Sequence, residues 1–122
     1  MELKHDCVRN LLITIEEEVG FNKSLPAEEL ADFSSLEEFS LDDVRYTLKK
    51  LNEAGFISID VYHDDTYVNE LTFNGHQFLD NIRGSNIWAE TKSHLSKIGG
   101  AASLSIISEL ASSLIKTKLG LS

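Results

Sequence analysis

The chain has 122 residues, of which 42% are hydrophobic and 25% charged, a composition typical of one soluble globular domain with a modest core. No apolar run approaches the roughly 20 residues that a membrane-spanning helix needs, and the first ten residues lack the hydrophobic core of a signal peptide. A single cysteine, Cys7, excludes an internal disulfide and fits a reducing compartment. We therefore expect a cytoplasmic protein.

The net charge of −9 is unevenly distributed. Residues 1–72 contain six Lys or Arg and 17 Asp or Glu, for a net −11, whereas residues 73–122 contain five and three, for a net +2. Nonspecific affinity for nucleic acid comes largely from clustered Lys and Arg that release counterions from phosphates. The acidic first part of the chain therefore counts against nucleic-acid binding.

The first predicted helix spans residues 4–18. Its apolar residues recur at three- and four-residue steps and form one stripe: Leu3, Cys7, Val8, Leu11, Leu12 and Ile15. Gly20 follows the stripe and can end the helix. Residues 21–39 have no clean period, and we expect a short helix or turn, which could begin at Pro26, and then an extended piece leading to Ser40.

A second clear helix is predicted over residues 41–54. Ser40 is a good N-cap, and Asp43 three residues later completes a capping-box pattern. The predicted buried stripe consists of Leu41, Val44, Leu48 and Leu51. Gly55 ends the helix. Four residues, Arg45, Tyr46, Lys49 and Lys50, then lie on the side away from the core.

A β-hairpin is predicted next. Residues 56–61 form an alternating β-branched strand, His63-Asp64-Asp65 a polar turn, and residues 67–71 the return strand. Thr72 is a plausible N-cap for a further helix, with Phe73, His76, Phe78, Leu79 and Ile82 on or near its apolar side. The order of helix, hairpin and helix predicts an α+β fold with a winged helix-turn-helix core and additional C-terminal helices.

The last part of the chain has a different character. Gly84-Ser85-Asn86 ends the helix that follows Thr72. The next predicted helix contains Ile87, Trp88, Leu95 and Ile98, and Gly99-Gly100 forms a flexible joint after it. The final helix carries an apolar stripe that could pair two copies or pack on its own core: Leu104, Ile107, Leu110, Ala111, Leu114 and Ile115. We therefore expect a winged-helix-like domain over residues 1–98 and an oligomerisation or packing helix over residues 99–122, with a homodimer as the predicted state.

Three segments carry a resemblance to a known family. They are VRYTLKKLNEAGFI, LTFNGHQFLDNIR and IWAETKSHLSKIGGAASLSIISELASSLIKTKLGL. These segments resemble an uncharacterised family of bacterial and prophage proteins, catalogued as a domain of unknown function, whose members are similar to winged-helix proteins. The resemblance implies a cytoplasmic protein of phage or mobile-element neighbourhoods, and it brings no activity, catalytic residue or cofactor.

No motif of an enzyme is present, since the sequence lacks GxSxG, a Gly-rich phosphate loop, HExxH and paired cysteines. The four histidines are scattered over several elements. His63-Asp64-Asp65 could bind a metal, but a polar hairpin turn explains the same residues better. We expect no catalytic residues, no metal, no cofactor and no small-molecule substrate.

Two functions remain for the chain. A winged-helix transcription regulator of phage or mobile-element type would bind DNA, weakly or as a dimer, through Arg45, Tyr46, Lys49 and Lys50. The alternative is an acidic adaptor or anti-repressor that binds a basic protein partner and makes no direct DNA contact. Because acidic residues surround the predicted hairpin, which has no Lys or Arg, both hypotheses stay open.

Overall fold

The computed structural model describes residues 1–97 and 103–120, which divide into two compact units, Met1–His76 and Gln77–Ser122. The predicted joint at Gly99-Gly100 lies outside the described residues. Residues 73–76 carry no Lys, Arg, Asp or Glu, so the first unit has the net charge of −11 and the second the net charge of +2. The boundary between the units is thus also a boundary in charge.

The described residues form six α-helices and a small three-stranded sheet, which confirms the predicted α+β class. In chain order the elements are α1 (His5–Glu18), β1 (Leu25–Pro26), α2 (Ala27–Ala31), a 3-10 helix (Ser34–Leu36), α3 (Leu41–Glu53), β2 (Ile57–Tyr62), β3 (Asp65–Leu71), α4 (Phe73–Ile82), α5 (Ser85–Lys97) and α6 (Leu104–Lys118).

The core of the first unit lies where α1 and α3 pack on each other and α1 packs on the sheet. The predicted stripe of α1 is buried from Cys7 to Ile15, and α3 buries Val44, Leu48 and Leu51. Leu41, which was predicted to be buried, is only half-buried. Each fully buried Leu or Ile contributes roughly 1.5–3 kcal/mol, so these two stripes account for much of the apolar stabilisation of this unit.

The N-terminus of α3 has the predicted capping box. Ser40 Oγ accepts a hydrogen bond from the Asp43 N–H at 3.0 Å, and Asp43 Oδ2 accepts one from the Ser40 N–H at 3.2 Å. Lys4 Nζ also donates to Asp43 Oδ2 at 2.9 Å. The bond from Lys4, followed by that from the Ser40 backbone, holds the pKa of Asp43 below its usual value. Asp43 therefore joins the start of α1 to the start of α3.

The strands lie in the order β1-β3-β2, and both pairs are antiparallel. Strand β1 was not predicted, because two residues are too few to show an alternating pattern and one of them is Pro26. Proline is tolerated at such an edge position because no N–H is required of it there. The extended piece predicted after α2 is wrong: the chain there turns through the 3-10 helix, where Leu36 is fully buried.

The hairpin is present, with a shorter turn than predicted. His63 and Asp64 form a two-residue loop, and Asp65 is already the first residue of β3, opposite Tyr62. His63 has a φ of 57°. A positive φ at the first loop position is what tight antiparallel hairpins require.

A close approach of two backbone segments joins the base of the hairpin to α4. The Thr72 N–H donates to the Phe56 carbonyl at 3.0 Å, and Thr72 Oγ1 accepts from the Gly75 N–H at 3.1 Å, which confirms Thr72 as the N-cap. A Cβ on Gly75 would overlap the Phe56 carbonyl oxygen and lie 2.9 Å from its carbonyl carbon. Phe73, predicted near the apolar side of α4, is 75% exposed.

In the second unit α5 packs against α6. Trp88, Thr91 and Leu95 of α5 are buried, as are Ile107 and Ala111 of α6. Polar contacts also join α6 to α4 and to α5. Asn81 Nδ2 donates to Ser108 Oγ at 3.1 Å, and Lys118 Nζ lies 2.8 Å from Glu90 Oε1.

Replacing Gly75 with alanine tests the close approach to Phe56. Alanine is a better helix former than glycine by about 1 kcal/mol, so helix propensity alone predicts stabilisation. We expect the opposite, a destabilisation of about 1–3 kcal/mol, because the backbone must shift to admit the methyl group. The urea midpoint of Gly75→Ala gives the sign. Gly84→Ala is the control, since its Cβ would make only ordinary contacts at 3.9 Å.

Removing the Asp43 carboxylate tests the polar junction of α1 and α3. Because the pKa of Asp43 is lowered in the folded chain, its stabilising effect is present at neutral pH. It is lost as the pH falls through and below about 3.9, the ordinary value for Asp. Asp43→Asn should therefore lower the urea midpoint at pH 7 and differ less from wild type near pH 3. A difference that is equal at both pH values, or equal to that of Asp42→Asn, would contradict this role.

Candidate interaction surface

The exposed side of α3 and one face of the hairpin enclose an open groove of about 620 Å³. We call it the α3–β2 groove. Its lining residues are Met1, Asp42, Arg45, Tyr46, Lys49, Asn52, Glu53, Ile59, Val61 and Thr66. Three of the four predicted DNA contacts therefore lie in this groove, and Lys50 lies beside it on the same helix.

The groove has apolar side chains available to a partner. Val61 is 60% exposed, and Tyr46 and Ile59 are half-buried. Ile59 and Val61 are two residues apart in β2, so their side chains point to the same face of the sheet. Desolvating this face on binding would be favourable, since apolar area removed from water contributes about 25 cal/mol per Å².

Arg45 is engaged within the chain. Its guanidinium forms an ion pair with Glu28 of α2, and Glu28 lies outside the predicted set of functional residues. The Glu28 backbone N–H, and then the Arg45 bond, keep the pKa of the Glu28 carboxylate below its usual value. The carboxylate is therefore ionised at neutral pH and neutralises the guanidinium.

Lys50 is also paired, and Lys49 is not. Lys50 Nζ lies 3.0 Å from Glu53 Oε2 and 5.4 Å from the centroid of the Tyr46 ring. The hydrogen bond and the charge of Glu53 raise the pKa of Lys50. Lys49 is exposed, and no residue of the described chain forms an ion pair with it. Of the three basic residues predicted to contact DNA, Lys49 is the one that forms no ion pair with a carboxylate of the described chain.

Carboxylates dominate the surroundings of the groove. Asp42 and Glu53 line it, and residues 57–71 of the hairpin carry four Asp or Glu and no Lys or Arg. Asp60 accepts a hydrogen bond from Asn69 Nδ2 at 3.1 Å on the hairpin. Arg45 and Lys49 line the groove beside Asp42 and Glu53, and Glu53 is paired with Lys50, so the excess of carboxylates at this surface lies on the hairpin.

The described residues also bear on the requirements of a metal site, a membrane span and a reactive thiol. No group of three or more His, Cys, Asp or Glu there could hold a metal ion, and no helix there is long and apolar enough to cross a membrane. Cys7 is buried, and burial raises the pKa of its thiol. His76 Nδ1 lies 3.6 Å from Glu16 Oε2.

The predicted oligomerisation stripe of α6 is divided between the protein interior and the surface. Ile107 and Ala111, at its centre, are fully buried, whereas the other four members are half-buried: Leu104, Leu110, Leu114 and Ile115. The centre of the stripe is thus used in packing within one chain. Ile106, outside the predicted set, is 50% exposed.

Comparison with known proteins gives a family and no activity. The family model described as hypothetical protein (DUF2513) matches residues 2–102. A relative, an uncharacterized protein of Haemophilus influenzae, is 28% identical over 126 residues, covering 98% of this chain and 99% of its own length. No solved structure matches. Because the family model matches most of the length of this chain, the chain belongs to the DUF2513 family of hypothetical proteins.

Proposed function

We propose that the chain is a winged-helix module that binds a basic segment of a protein partner in the α3–β2 groove and thereby acts as a regulatory adaptor. The observation that carries this proposal is the combination of an exposed apolar groove with carboxylates at its rim. Such a surface complements a partner segment that presents apolar anchors between Lys or Arg residues.

Three features support the winged-helix assignment. Helices α2 and α3 are consecutive and pack together, as in a helix-turn-helix pair. The β2–β3 hairpin follows α3 directly, in the position of a wing. Strand β1 enters between α1 and α2 and pairs with β3, which extends the hairpin into a three-stranded sheet. Each feature falls within the first unit.

The charge at the groove favours a protein partner over DNA. Double-stranded DNA would place phosphates along α3 and the hairpin, next to Asp42, Glu53 and the four acids of residues 57–71. Binding would then depend on basic residues that release counterions. Arg45 and Lys50 are already neutralised by carboxylates of the chain, which leaves Lys49.

DNA binding is the second candidate, favoured by the position of α3. It is the second helix of the α2–α3 pair, and its exposed side carries Arg45, Tyr46, Lys49 and Lys50, the residue types that read base edges and phosphates. Ion pairs at a surface are worth only about 0–1 kcal/mol, so DNA phosphates could displace the carboxylates if enough other contacts formed. This candidate requires measurable binding at low salt.

Self-association through α6 and a role in phage or mobile-element regulation remain predictions. The exposed Ile106 beside the half-buried Leu110, four residues on, is the feature of α6 that favours a homodimer. The link to mobile elements rests on the family resemblance alone. Neither is needed for a partner to bind the groove.

Fluorescence anisotropy with two labelled probes tests the proposed function. One probe is a capped peptide of about eight alternating lysine and valine residues, and the other is a short DNA duplex of mixed sequence. At about 50 mM salt, where attraction to phosphates is strong, we expect the wild-type chain to bind the peptide and not the duplex.

A charge-matched pair of variants provides the control. Asp42→Asn with Glu53→Gln removes two carboxylates from the groove and should weaken peptide binding severalfold. Glu37→Gln with Glu38→Gln removes the same charge at exposed positions outside the groove and should leave the affinity unchanged. Duplex binding that is lost on replacing Arg45, Lys49 and Lys50 with alanine would overturn the proposal in favour of the DNA reader.

A further inference from the structure

We infer that the partner segment binds as an additional β-strand on the free edge of β2, with its apolar side chains in the α3–β2 groove. This inference rests on the proposed function and specifies how the same site would hold its partner. Strand addition to a sheet edge is a recurrent mode of peptide recognition, in which backbone hydrogen bonds supply affinity and alternate side chains supply specificity.

The strand order leaves one side of β2 unpaired. In the order β1-β3-β2, β3 is the central strand and β2 pairs with β3 alone. Strand β2 is six residues long, whereas β1, at the other edge, is two residues long and contains Pro26. Within the described residues, β2 therefore presents the longer edge for pairing.

The geometry of the tight turn decides which peptide groups face outward. A two-residue loop is closed by a hydrogen-bonded pair, here Tyr62 and Asp65, and antiparallel pairs then alternate between hydrogen-bonded and non-bonded. Val61–Thr66 and Ile59–Val68 are consequently non-bonded pairs, so the N–H and C=O groups of Ile59 and Val61 point away from β3. The pairing of Val68 with Leu25 of β1 agrees with this alternation, since Val68 must then face β1.

The outward peptide groups of Ile59 and Val61 make no other hydrogen bond in the part of the chain that the structure describes. Their side chains line the α3–β2 groove together with Tyr46. A strand added at this edge would therefore meet unpaired backbone groups and an apolar surface at the same two residues. Its own alternate side chains would lie against that surface.

Charge at the same place defines the chemistry of the added strand. Edge strands are commonly protected from pairing by lysines, prolines, bulges or inward-pointing charges. Strand β2 has one charged residue, Asp60, and no lysine or proline, and the extra residue where the β2–β3 register shifts, Asn69, belongs to β3. The one charged side chain on β2, that of Asp60, is negatively charged. It would therefore repel an acidic segment and attract a segment with Lys or Arg at alternate positions.

A proline at Val61 tests strand addition directly. Proline lacks the N–H, and it is tolerated on edge strands where that N–H faces solvent. Val61→Pro should thus remove an outward donor while leaving the β2–β3 ladder intact. We expect its affinity for the lysine–valine peptide to fall about tenfold, which is the equivalent of ~1.4 kcal/mol. Val61→Thr, which keeps both the N–H and the β-branched shape, should retain affinity within about threefold, the equivalent of ~0.65 kcal/mol.

Amide hydrogen exchange of the wild-type chain keeps the test decisive if Val61→Pro fails to fold. Exchange at the Ile59 and Val61 amides should slow when the peptide is added, because these N–H groups become hydrogen-bonded to it. Peptide binding with unchanged exchange at both amides, or equal affinity of the proline and threonine variants, would overturn strand addition and leave the proposed function standing. Absence of peptide binding by the wild-type chain would overturn both.

Discussion

The ion pair between Arg45 of α3 and Glu28 of α2 engages the one arginine on the exposed side of α3. It joins the two helices of the pair and neutralises the guanidinium that a DNA-reading helix would use. Lys50 is neutralised in the same way by Glu53, one turn further along. Between α3 and the hairpin lies a groove with exposed apolar side chains and nearby carboxylates, and on this ground we propose a basic protein segment, and not a phosphate backbone, as its partner.

The same unit combines specific contacts around α3 and the hairpin with an open sheet edge at β2. The capping box at Ser40 and Asp43, the bond from Lys4 and the close approach of Gly75 to Phe56 fix both ends of α3 and the base of the hairpin. The two-residue turn then determines which backbone groups of β2 face outward. In the proposed complex, an extended segment would meet N–H and C=O groups of β2 that already point outward, which would lower the entropic cost of binding it.

Local patterns in the sequence predicted much of this fold. The Ser40 and Asp43 spacing predicted the capping box, the periodic apolar residues predicted α1 and α3, and Thr72 was recognised as a cap, because each signal lies within a few residues. Strand β1 and the 3-10 helix were missed because contacts with distant parts of the chain determine them. Leu36 is held by burial in the core, and Leu25 pairs with Val68.

The candidate site was predicted only in part, for the same reason. The exposed face of α3 followed from helical periodicity, but the partner of Arg45 lies 17 positions away, and no sequence pattern connects it to Glu28. Ile59 and Val61 were assigned to a strand correctly. Their exposure beside α3, however, depends on the strand order, which local sequence does not specify. Two of the three basic residues of α3, Arg45 and Lys50, are paired with carboxylates, so the sequence of α3 alone suggests more free positive charge than this surface has.

We propose that the α3–β2 groove binds a basic segment of a protein partner and does not bind duplex DNA. Amide and side-chain NMR shifts of the labelled wild-type chain, titrated separately with the lysine–valine peptide and with duplex DNA at about 50 mM salt, test it residue by residue. The peptide should shift the resonances of Tyr46, Ile59 and Val61, and the duplex should leave those of Arg45, Lys49 and Lys50 unchanged. Duplex-induced shifts at these three basic residues, with no response of the groove to the peptide, would contradict the claim.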